Sequence, residues 1–124
     1  MSDYIIKIEP NHHPCLIAAP DDIEAYASKI VGKYDTVTVH NDLRAKYPSL
    51  RLIVSAQFSS EMKENVYATK LRRALKEGRK VFGTALLIYV RSSLPFAMPE
   101  DEATDIREFV EWCYDIEFEE GEEE

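Results

Sequence analysis

The stretch covering residues 99–124 constrains this chain more than any other, because it is both heavily acidic and periodically apolar. It holds thirteen Asp and Glu residues against one base, Arg107, a net charge of −12, while the whole chain of 124 residues carries −8. The first 98 residues therefore carry +4, so a mildly basic body precedes a strongly acidic end. Within that end Ala103, Ile106, Phe109, Val110, Cys113 and Tyr114 recur at steps of three and four, the period of a helix with one buried stripe. Pro99 suits a first helical turn, and Glu100, Asp101 and Glu102 set carboxylates at the positive end of the helix dipole. The spacing predicts a helix over 99–114. At about 100° per residue, Asp101, Asp105, Glu108 and Trp112 fall together opposite the stripe, which puts a tryptophan on the wet side in line with three carboxylates. Residues 117–124 read as a solvated, flexible acidic tail.

Apolar residues make up 45% of the chain, enough to build the core of one domain, set here at 1–116. No run approaches the roughly 20 apolar residues of a membrane span, and the start Met-Ser-Asp-Tyr lacks the basic and apolar regions of a signal peptide. A soluble, cytoplasmic protein is expected, with no membrane partner. Cys15 and Cys113 sit on apolar faces and read as buried thiols rather than a disulfide.

Along the chain, 4–8 and 15–19 read as strands. Pro20-Asp21-Asp22 then opens a helix whose stripe is Ile23, Tyr26, Ala27, Ile30, Val31 and Tyr34. A strand over 35–40, a short helical turn over 41–46 and a strand over 50–58 follow. Ser59 or Ser60 caps a long helix running to Glu77, and 81–90 returns as a strand whose apolar centre suits the middle of a sheet. The two strand–helix–strand units, 15–40 and 50–90, imply parallel neighbours joined by right-handed crossovers. The expected fold is α/β: a single small domain with a mixed sheet of four to five strands, three main helices packed on it, and the acidic C-terminal helix and tail.

Three kinds of function compete. The helix over 62–80 carries Arg72, Arg73, Lys76 and Lys80, a face that reads as solvated, as phosphate-binding for nucleic acid, or as a partner for the acidic tail. No nucleic-acid motif accompanies it, and its aromatics do not interleave with its bases as a stacking platform requires. An enzyme would centre on His40 beside Asn41 and Asp42, just past a strand, yet the same residues make an ordinary helix start. No catalytic set follows from the sequence. His12, His13 and Cys15 lack the second ligand pair of a structural metal site, so neither metal nor cofactor is assigned.

The third reading is a non-enzymatic interaction or inhibitor protein. Leu94, Phe96 and Met98 alternate along a proline-stiffened segment that feeds the acidic helix. Phe96 and Met98, with Asp101, Asp105, Glu108 and Trp112, form the expected partner-binding set: apolar anchors with charge that steers a basic protein surface. In composition alone the chain resembles small acidic inhibitors of nucleic-acid-handling enzymes, which act as DNA mimics. The expected partner is such an enzyme or another basic protein.

Overall fold

β5 (Ala85–Arg91) occupies the middle of the sheet, where its apolar run Ala85-Leu86-Leu87-Ile88-Tyr89 is buried on both faces. The computed structural model describes residues 3–57, 59–72 and 80–114. Around β5 the main order is β2 (Cys15–Ala18), β1 (Asp3–Ile8), β5, β4 (Leu50–Ser55) and β3 (Tyr34–Val37). Two short strands complete the sheet: β6 (Leu94–Phe96) pairs with β5, and β7 (Met98–Pro99) pairs with β1. The four helices are α1 (Ile23–Ile30), α2 (Asn41–Lys46), α3 (Val66–Leu71) and α4 (Glu100–Tyr114).

The class is α/β as expected, but the sheet is not mixed. Every pairing among the described strands is antiparallel, and the described residues form seven strands and four helices rather than four to five and three. The expected parallel crossovers fail for geometric reasons. A crossover helix must travel back along the full strand, roughly 20 Å for six residues, and the six residues of α3 span only about 9 Å. The unit over 15–40 joins strands at opposite edges of the sheet, so α1 passes across its face instead of linking neighbours.

Strand alternation sorts the core into two layers. Ile6 and Ile8 of β1, Leu50, Leu52 and Val54 of β4, and Ala85, Leu87 and Tyr89 of β5 face α2, α3 and α4. Ile5, Ile53, Leu86 and Ile88 face α1, where Ala27 is buried and Ile23, Tyr26 and Val31 pack around it. α4 inserts Ala103, Ile106 and Val110 into the larger layer, with Phe109 at its margin, so the predicted stripe is the inward one as far as Val110; the Cys113 and Tyr114 side chains lie outside the described residues.

Two helix boundaries differ from expectation. α1 is capped by Asp22, which accepts from the Ala25 amide at 3.0 Å, but it stops at Ile30. Gly32, at φ 88°, turns the chain so that Tyr34 begins β3 instead of extending the helix. α3 starts neither at Ser59 nor at Ser60: Asn65 caps it, and Glu64 forms a bridge with Phe82. It ends at Leu71, whose carbonyl accepts from the His40 amide at 2.7 Å, while Arg72 is extended and bridges Val39. The long basic helix to Glu77 is thus replaced by six described helical residues. The sequence-derived strand end at Phe58, the last part of that helix and the acidic tail lie outside the described residues.

Candidate functional site

α4 begins directly after β7, and the strand pair Tyr4–Met98 fixes its start against β1. With Ala103, Ile106 and Val110 turned inward, Asp101, Thr104, Asp105 and Glu108 line a shallow open groove on the outward side together with Glu100. Trp112 follows one turn on and is 79% exposed. The tryptophan is therefore outside the core, in line with the carboxylates.

The acids of this face differ in how they are engaged. Asp105 accepts a very short hydrogen bond from the Tyr47 hydroxyl and lies 3.0 Å from Lys46 Nζ, both at the carboxyl end of α2. The Tyr47 bond, then Lys46, hold the Asp105 carboxyl below its usual range. Glu102 accepts from the Tyr89 hydroxyl at 2.5 Å. Burial, and then these carboxylate partners, push both phenols well above their ordinary value. Glu111 pairs with Arg107 at 3.2 Å and lies 4.0 Å from His13 Nδ1. Glu100, Asp101 and Glu108 form no ion pair with any described residue. The groove therefore holds three carboxylates without an ion pair among the described residues beside one, Asp105, that fastens α4 to α2.

Of the residues expected to bind a partner, Asp101, Glu108 and Trp112 share the outward face and Asp105 shares it while committed to Tyr47 and Lys46. Phe96 is 42% exposed. Met98 is corrected: it is fully buried between β1 and α4, so it belongs to the core and not to a binding surface. Alternation along 94–98 identified its face but not its depth. Leu94, 54% exposed at the tip of the β5–β6 hairpin, is the side chain that joins Phe96 instead. Tyr47, Tyr89, Lys46 and Glu102 gave no local signal, since their partners lie 13 to 59 residues away in sequence.

The residues expected to bind nucleic acid do not form one helical face. Arg72 lies beyond the end of α3 in extended backbone, and Lys80 is 3.9 Å from Glu64. Arg73 and Lys76 lie outside the described residues. His40 caps α2, its Nδ1 accepting from the Asp42 amide at 3.3 Å, a structural task met by an exposed side chain. His13 Nδ1 and the Tyr67 hydroxyl share a hydrogen bond of 2.7 Å, and Cys15 is exposed on β2 rather than buried. Among the described residues no group of three His, Cys, Asp or Glu side chains is placed to hold a metal ion, and no helix is long and apolar enough to cross a membrane.

Comparison with protein-family models, with curated proteins and with solved structures found no match to this chain.

Proposed function

We propose that this chain is a non-enzymatic interaction protein that docks the outward face of α4 on a basic protein surface, such as the phosphate-binding groove of a nucleic-acid-handling enzyme. The observation that carries this reading is Trp112, 79% exposed at the end of a row whose Asp101 and Glu108 have no ion pair among the described residues. Leaving a large aromatic in water forgoes burial worth about 2 kcal/mol, and tryptophans of this kind serve as anchors in interfaces. The helical steps from Asp101 to Asp105 and on to Glu108 rise about 6 and 4.5 Å, comparable with the step between phosphates along a nucleic-acid strand. A rigid row of carboxylates at that pitch suits a groove built for phosphates.

Removing α4 is not a clean test, because Ala103, Ile106 and Val110 would leave the core with it. The test uses the full chain as bait in an extract of the cells that make it. A basic partner is expected to be retained at low salt and released as salt rises. Trp112→Ala is expected to weaken the complex about tenfold or more, and Asp101→Lys with Glu108→Lys to slow its formation by a similar factor. A partner held equally well by both variants would end this reading.

A further inference from the structure

The described residues leave three large apolar side chains strongly exposed, Leu94, Phe96 and Trp112, and all three lie on the α4 side of the sheet. For the hairpin pair this follows from register. Phe96 stands opposite Tyr89 and Leu94 opposite Arg91, and directly paired residues of an antiparallel ladder project to the same side. Tyr89 faces α4, since it lies in the layer under that helix and its hydroxyl donates to Glu102 at 2.5 Å. Val90 and Ala97, by contrast, pack toward α1. Leu94 and Phe96 therefore project to the same side of the sheet as α4, Phe96 paired with the Tyr89 that bonds Glu102 in the first turn of the helix, while Trp112 stands about 18 Å along the helix from its start.

We propose that the occupant of this face is a cationic amphipathic peptide segment, with Lys or Arg residues over the carboxylates and large apolar side chains seated at both ends, on Leu94–Phe96 and on Trp112. This occupant rests on the docking face proposed for α4 and gives that face a second anchor. Charge complementarity selects the cations: Glu100, Asp101 and Glu108 offer three carboxylates free of ion pairs among the described residues. Arg91, at the base of the hairpin, lies over the Tyr89 ring, 5.4 Å from its centroid, and forms no ion pair with Glu100, Asp101 or Glu108. A purely polyanion-like surface has no use for an apolar pair at its edge; an amphipathic occupant does.

Trp112 is the only tryptophan of the chain and reports on the site directly. Two synthetic peptides of equal length and equal lysine content serve as probes, one with leucines at helical spacing and one with serines in their place. The leucine peptide is expected to change Trp112 emission with an affinity about tenfold or more above that of the serine peptide. Leu94→Ser with Phe96→Ser is expected to remove most of that difference while leaving the serine peptide unaffected, and Leu94→Ser alone, at the exposed tip, to remove part of it. Asp101→Asn with Glu108→Gln weakens both. Equal affinities of the two peptides for the unmodified chain overturn the second anchor and leave the docking reading standing. If neither peptide alters Trp112 emission at low salt, the acidic face does not bind basic segments and both fall.

Discussion

Replacing Asn65 by alanine is expected to cost about 3 to 5 kcal/mol of folding stability, a loss on the order of 10 °C or more in Tm. Asn65 is 1% exposed and its side chain makes three bonds. Its amide nitrogen donates to the Ile8 and Gly83 carbonyls, each at 2.8 Å, and its oxygen accepts from the Ala68 amide at 3.2 Å. One side chain thereby closes the end of β1, the loop leading to β5 and the first turn of α3. The methyl of alanine leaves two carbonyls and one amide without those partners. Asn65→Asp separates the contributions, since it keeps the cap acceptor but cannot donate and sets a negative charge against two carbonyl oxygens. At neutral pH it is expected to be at least as destabilising as alanine, with partial recovery in acid as the carboxyl takes up a proton. Urea unfolding of the three proteins measures this. A loss below about 1 kcal/mol for Asn65→Ala would show that water or a backbone shift replaces the missing bonds. Gly83 belongs to the same joint: its φ of 83° strains any side chain placed there, and the Met62 methyl, 2.8 Å from where a Cβ would stand, would have to swing aside.

The second large effect is alkaline. Burial first, and then the carboxylates of Glu102 and Asp105, raise the pKa values of Tyr89 and Tyr47 in the folded chain. A phenol with a raised folded-state value stabilises the fold fully below its unfolded value, near 10, and that contribution is lost as pH rises through the folded value. Stability is therefore expected to fall steeply from about pH 10 upward. The slope reaches up to about 1.4 kcal/mol per pH unit for each phenol that stays protonated in the folded chain. Tyr89, buried against α4, contributes most of it, and half-buried Tyr47 less because water screens it. Asp105 acts at the other end of the scale: its lowered value stabilises the fold above the ordinary carboxylate range, and this is lost as pH falls through the folded value. Tyr89→Phe is expected to flatten the alkaline limb while costing about 1 kcal/mol at neutral pH through the lost bond to Glu102. Unfolding curves across the alkaline range, read with tyrosinate absorbance, check this. A Tyr89→Phe protein with an unchanged alkaline limb would contradict it.

Much of this architecture is legible in residue order, and the illegible parts share a cause. The stripe Ala103, Ile106, Val110 announces α4 because a helix repeats its buried face locally, and the unbroken run in β5 announces a strand covered on both sides. Strand direction is not local. Nothing within 50–90 distinguishes a crossover from a return, and the β4–β5 pairing is antiparallel. Ser59 and Ser60 are ordinary caps by residue type, but the burial of Asn65 against Ile8 and Gly83, which residue order does not show, makes Asn65 the cap of α3. β6 and β7, three and two residues long with a proline in each, fall below the length at which alternation speaks. At the candidate site the outward set Asp101, Glu108 and Trp112 is readable from helical period alone. That Asp105 is tied to Tyr47, and that Met98 is buried while Leu94 is not, depends on contacts between elements distant in sequence.

On the proposed function, Trp112 and its carboxylate row are the surface that a basic partner covers. Collisional quenching of Trp112 by acrylamide, with the captured partner absent and then saturating, addresses that contact without any substitution. The free chain is expected to quench almost as readily as tryptophan in water, and the complex several-fold less. Quenching unchanged in the saturated complex would place the partner elsewhere on the molecule and contradict the assignment of α4 as its docking face.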